Sequence, residues 1–240
     1  MPDEEREPTV EERQRWTAEA RKFEAEADLA NATRIKMDGE ARTALASADI
    51  TEMTRDVAAR TYREEMARNK YHHVYHFTDS VSASSVRACM DQLTVWMRTA
   101  DDEEKQPITI VFSSPGGSVV EGMALWDYIQ QVRRAGHHVT THTIGYAASM
   151  AGILLQAGDV RTMGAEAYIL VHEVSAAAVG KIGEMEDEMK FLKMISSRVL
   201  DIFAARTKLT KRQLDARWRR KDWWLSSSDA LKLGFVDEVI

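Results

Sequence analysis

A single cysteine, Cys89, excludes an internal disulfide and a thiolate metal cluster. It falls on an apolar helical stripe and reads as core. No stretch approaches the roughly 18 uninterrupted apolar residues of a membrane span, so no membrane partner is expected. The start, Met1-Pro2-Asp3-Glu4-Glu5-Arg6, is acidic and lacks the basic-then-apolar pattern of a secretory signal; the expected location is the cytoplasm. Positive charge is not in excess either. The formal net charge is -6, which offers no electrostatic footprint for nucleic acid, and no nucleic-acid motif is present. Arg217, Trp218, Arg219, Arg220 and Lys221 form one local basic cluster and read as a solvated face. What is present is 44% hydrophobic content, enough for a substantial core in an enzyme-sized chain of 240 residues.

Two textures divide the chain. Residues 1–70 are rich in Ala, Glu, Arg and Lys, contain no strand-like run, and predict a charged helical extension. Thr9 with Glu12 three residues later fits a capping box, and Pro8 marks where the helix stops backwards. Apolar positions are sparse: Trp16, Phe23 and the alanines 20, 27 and 30 make a narrow stripe. Asp38-Gly39 is expected to break the helix, with a second piece from about Thr51 through Val57, Tyr62 and Met66. The segment reads either as a partly solvated extension or as a partner-binding or removable piece.

Residues 71–240 alternate strand and helix signals, which predicts an α/β fold with a mainly parallel sheet. Strands are expected at Val74 to Phe77, Ile108 to Phe112, Val139 to Ile144, Val160 to Met163 and Tyr168 to Val171. Val86, Cys89, Met90, Leu93, Trp96 and Met97 recur at the spacing of one buried helix face. Helices are also expected at Val119 to Arg134, Ser149 to Gln156 and Lys181 to Thr207. The apolar stripe of the last, including Met185, Leu192, Val199 and Phe203, reads as packing or oligomer contact.

Ser149 lies in Gly145-Tyr146-Ala147-Ala148-Ser149-Met150-Ala151, a run of small residues between an apolar strand and a helix start. Such a turn exposes a hydroxyl beside unpaired helical N–H groups. His172 follows a strand, where parallel sheets place their chemistry, and its near-neutral pKa suits the base a serine needs. Asp222 is the preferred third member, a carboxylate to orient the imidazole, with Asp215, Asp229 and Asp237 as competitors. Ser114-Pro115-Gly116-Gly117 sits between a buried strand and a helix. Its glycines can present the Gly117 N–H to an oxyanion, with the Met150 N–H as second donor. The order Ser, His, Asp and the lack of Gly-x-Ser-x-Gly set this apart from α/β-hydrolases.

From about residue 74 to 240 these motifs resemble the proteolytic subunit of the Clp protease, the ClpP family. Ser113 to Gly117 followed by Gly122 to Asp127 is similar to its oxyanion-strand motif, and Gly145 to Ala151 to its nucleophile motif. Val171-His172-Glu173 matches the place of its histidine. Lys221 to Ser226, then Ala230 and Gly234 to Asp237, is similar to the tail with its aspartate.

The resemblance implies a ClpP/crotonase-like fold of repeated β-β-α units with a handle helix at 181–207. It also implies a Ser149-His172-Asp222 endopeptidase acting on protein or peptide substrates, with Gly117 and Met150 as oxyanion hole, no metal and no cofactor. The implied assembly is a homo-oligomeric ring, heptameric and stacked as a double ring. Three departures stand out. Glu173-Val174-Ser175-Ala176-Ala177-Ala178 replaces the usual Gln-Pro and Gly-rich run, Trp223-Trp224 is bulkier than usual, and the helical first 70 residues do not resemble the family's short axial loops. The third motivates a narrower expectation: a phage head maturation protease in the host cytoplasm, with phage capsid or scaffold proteins as partners. The alternatives are an ATPase-coupled subunit served by an AAA+ unfoldase, an inactive scaffold of the same fold, and a crotonase-like acyl-CoA enzyme.

Overall fold

A computed structural model describes residues 7, 9–100, 105–175 and 180–240. Met1 to Arg6, Pro8 and Ala176 to Ala178, which figure in the sequence reading, fall outside the described residues. Two compact units divide the chain, Met1–Glu65 and Met66–Ile240.

The first unit is helix α1, which runs unbroken from Val10 to Met66 over 57 residues with none buried. At 1.5 Å per residue it is roughly 85 Å long. Its start is the expected capping box: Glu12 N–H donates to Thr9 Oγ1 and Thr9 N–H to Glu12 Oε2. The expected break at Asp38-Gly39 does not occur. A mid-helix glycine costs only about 1 kcal/mol relative to alanine, and its neighbours are strong helix formers. Lys36 and Glu40 pair at i,i+4 across the site, and the Thr43 hydroxyl donates to the Gly39 carbonyl. No helix among the described residues is long and apolar enough to cross a membrane.

The second unit is a mixed α/β structure on a seven-stranded, mainly parallel sheet. Its elements are β1 (Val74–Phe77), α2 (Ala83–Thr99), β2 (Ile108–Ser114), α3 (Val119–Arg134), β3 (Val139–Ala148), α4 (Met150–Leu154), β4 (Val160–Met163) and β5 (Tyr168–Val171). There follow α5 (Ile182–Arg206), α6 (Lys211–Trp218), β6 (Trp223–Ser226), α7 (Ser227–Leu233) and β7 (Glu238–Val239). Strand order is β1-β2-β3-β4-β7, and β5 branches from β3 and carries β6. Among the described residues the one antiparallel pairing is β5 with β6. Helix α2 buries Val86, Cys89, Leu93 and Trp96, the predicted face, and α3 buries Leu125, Ile129 and Val132. Burial pushes the Cys89 thiol far above its usual range, so it stays a protonated core side chain.

Strand β3 continues past Ile144 to Ala148, longer than its apolar run predicts. Thr140 to Thr143 pair with β4, whereas Tyr146 to Ala148 pair with β5. The second half carries its partners' hydrogen bonds without a hydrophobic run, because it is paired on both sides, by Ser114 of β2 and by β5. This fork delivers residue 149 between β2 and β5.

The tail is anchored by Arg161, 5% exposed. Its guanidinium donates to Asp237 Oδ2 at 3.0 Å, to Gln156 Oε1 at 2.7 Å and to the carbonyls of Arg206 and Gly234. Burial alone would raise the Asp237 pKa, but hydrogen bonds from the Arg161 side chain and N–H, together with the guanidinium charge, hold it below the usual value. A depressed folded-state pKa stabilises the protein above the unfolded carboxylate pKa, and that contribution is lost as pH falls through the acidic range. Asp237→Asn is therefore expected to lower stability at pH 7 by about 2 kcal/mol, discounted because the carboxylate side chain is 42% exposed. The difference between wild type and variant should shrink at acidic pH, which thermal melts across pH will read.

Candidate active site

Ser149 sits at the elbow between β3 and α4 with φ 54 and ψ -122, outside the regions an L-residue prefers. The conformation is held from both sides: Ser149 N–H donates to the Leu170 carbonyl at 2.9 Å, and Ile153 N–H donates to the Ser149 carbonyl at 3.3 Å. Gly116 packs directly against the elbow. A Cβ there would lie 2.5 Å from the Ala148 oxygen, 2.7 Å from Ser149 Cβ and 2.9 Å from the Met150 nitrogen, so no side chain fits.

Gly117 follows with φ 148. Val81 N–H donates to the Gly116 carbonyl and Ser118 N–H donates to the Val81 carbonyl, both at 2.8 Å. This parallel bridge uses the groups flanking Gly117 and turns its own N–H the other way. The loop is pinned by Ser114, fully buried, whose hydroxyl donates to the Asp79 carbonyl at 2.6 Å and accepts from Gly116 N–H at 3.3 Å. Met150 opens α4, so its N–H has no intrahelical acceptor. Neither the Gly117 nor the Met150 N–H makes a hydrogen bond among the described residues.

A narrow cavity of about 50 Å³ is lined by Gly117, Ser149, Met150 and His172 together, with Val119, Ile153, Val199 and Phe203 as its apolar wall. His172 is half-buried at the end of β5. Asp222 does not line the cavity. The antiparallel register pairs Leu170 with Trp224 and ends at Val171 with Trp223, so His172 and Asp222 are the residues next to its last rung, and the same register continued by one step would pair them. No hydrogen bond joins His172 to Ser149 or to Asp222 among the described residues. Catalytic contacts in unliganded sites are commonly loose and tighten around substrate.

The three competing carboxylates are engaged elsewhere. Asp215 pairs with Arg219, Asp229 accepts from the Ser226 hydroxyl that caps α7, and Asp237 holds Arg161. The basic run is not simply a solvated face: Trp218 is core, and the Arg217 guanidinium lies 5.2 Å over the Trp223 ring. Trp223 in turn meets Phe235 edge-on at 5.6 Å, so the first tryptophan of the pair packs inward while Trp224 is exposed. Glu173, which the sequence marks only as the start of a departure after His172, has a contact the sequence does not announce: its Oε2 accepts from Arg220 N–H at 2.9 Å across 47 positions. No local pattern signals such a contact.

A family model described as Clp protease matches residues 60–240. The chain belongs to the Clp protease family. Among curated relatives, the ATP-dependent Clp protease proteolytic subunit 2 of Tropheryma whipplei is 34% identical over 140 residues, 58% of this chain and 76% of the relative. The ATP-dependent Clp protease proteolytic subunit of Deinococcus radiodurans is 31% identical over 138 residues, 57% of this chain and 66% of the relative. The match to the Clp protease family begins near the end of α1, which leaves residues before 60 outside it.

Proposed function

We propose that this Clp protease family member is a cytoplasmic serine endopeptidase in which Ser149 is the nucleophile, His172 the general base and Asp222 its orienting carboxylate. The observation that carries the reading is that Ser149 and His172 line one cavity together with Gly117 and Met150, whose N–H groups make no hydrogen bond among the described residues. His172 takes the Ser149 proton as Oγ attacks the scissile carbonyl carbon, and the oxyanion lies against the two N–H groups. Collapse breaks the C–N bond, protonated His172 gives its proton to the leaving amine, and water then releases the acyl group by the reverse path. The narrow apolar wall favours a small or medium aliphatic side chain beside the scissile bond.

The chain is further proposed to act as a homo-oligomeric ring. The long solvated helix α1, most of which precedes the family match, favours a self-contained processing protease of the phage head maturation kind over coupling to an AAA+ unfoldase. Intact-mass spectrometry of the full chain after treatment with a fluorophosphonate, together with particle mass in solution, tests the reading. Expected are one phosphonyl adduct on the Ser149 peptide, a particle of several protomers, and an N-terminus shortened in wild type but intact in Ser149→Ala. An unlabelled Ser149 in folded protein favours the inactive scaffold; an intact wild-type N-terminus removes self-processing.

A further inference from the structure

Between α6 and β6 the chain makes a tight turn over residues 218–221. Lys221 N–H donates to the Trp218 carbonyl at 3.0 Å. Arg219 has φ -57 and ψ 114, and Arg220 has φ 56. These are the angles of a type II turn, whose third position calls for glycine or asparagine. An arginine there persists only if something outside the turn holds it. That something is Glu173. Its Oε2 accepts the Arg220 N–H at 2.9 Å, and it is bonded directly to His172 along the chain. Glu173 forms no ion pair among the described residues, and the neighbouring Arg219 is taken by Asp215. The contact is therefore to backbone, not to a guanidinium.

We propose that Glu173 is a positioning residue: by clamping the Arg220 turn to the residue after His172, it fixes Asp222 opposite the imidazole. This inference rests on the Ser-His-Asp reading above. The ladder between β5 and β6 stops at Val171 and Trp223, one step short of the pair that matters. Asp222 itself is exposed and makes no hydrogen bond among the described residues. Beyond the last rung, the Glu173 to Arg220 bond is the cross-link that sets the spacing of the two strands where His172 and Asp222 face each other. A carboxylate is not required for the task, since an acceptor oxygen of the same reach suffices.

The test compares full-length wild type with Glu173→Ala, Glu173→Met, Glu173→Gln and the Glu173→Ala/Asp222→Ala double variant. Peptide hydrolysis and the rate of fluorophosphonate labelling of Ser149 are both measured. Glu173→Ala and Glu173→Met are expected to lose about 10- to 100-fold in kcat with KM changed less than about twofold, the cost of a misplaced catalytic group. Glu173→Gln, which keeps the acceptor, should recover to within about threefold. In the Asp222→Ala background the Glu173→Ala change should cost less than about twofold more, because both act through one group. Wild-type rates in the Ala and Met variants, failure of Gln to restore activity, or losses that multiply in the double variant would each overturn the clamp. Should Glu173→Ala fail to fold, Glu173→Met carries the same comparison at nearly unchanged side-chain length. An unlabelled wild type would instead overturn the protease reading, and the clamp with it.

Discussion

Ser149→Ala is expected to abolish peptide hydrolysis and covalent labelling, with kcat falling on the order of 10⁶-fold while the fold is retained. Two features make the variant clean. Alanine keeps the Cβ that packs at the elbow against Gly116, so the strained backbone at φ 54 is as well supported as before. The Ser149 hydroxyl makes no hydrogen bond among the described residues, so its removal orphans no buried partner and thermal stability should move by less than about 0.5 kcal/mol. What the oxyanion donors and substrate binding achieve alone should remain as a residual acceleration over water. Hydrolysis surviving near the wild-type rate in Ser149→Ala would transfer the chemistry to another group and end the proposal for this residue.

Much of the second unit was legible because its signals are local. The strands β1, β4 and β5 and the helix α3 coincide with their predicted bounds, since each begins and ends on local signals, short segments rich in β-branched, aromatic or other apolar residues for the strands and a periodic apolar face for the helix. The elbow was legible for a related reason: only small residues allow Gly116 to approach Ala148, Ser149 and Met150 so closely. Elsewhere local reading failed in two directions. Gly39 carried a breaker signal that α1 overrides, because one unfavourable residue is outweighed by the cooperative ladder around it. The second half of β3 carried no strand signal, yet pairing with β2 and β5 makes it one. Long-range contacts were illegible altogether. The register between β5 and β6, the occupation of Asp237 by Arg161 and the reach of Glu173 to Arg220 join positions many tens of residues apart. Those contacts engage Asp237 with Arg161 and bring β6 beside β5.

Asp222→Asn supplies the second large effect, an expected loss of about 10³- to 10⁴-fold in kcat with little change in stability. Asparagine occupies the same volume at an exposed position, so the fold has no reason to respond. The amide cannot stabilise an imidazolium and can hold the ring in the wrong tautomer, so proton transfer from Ser149 suffers directly. The competing carboxylates give the comparison its force. Asp215→Asn breaks a pair with Arg219 on one helical turn, and Asp229→Asn weakens the N-terminal cap of α7; neither should change kcat by more than a few-fold. Asp237→Asn should lower the melting temperature first and activity only as the folded population falls. Steady-state kinetics on the four variants at matched folded fraction therefore separate a carboxylate that acts on the imidazole from three that hold the scaffold. A loss confined to Asp222→Asn supports the register-based proposal, because Asp222, and none of the other three, directly precedes the last rung of the ladder, Val171 with Trp223, as His172 directly follows it. Full activity in Asp222→Asn would leave His172 acting without a carboxylate from β6.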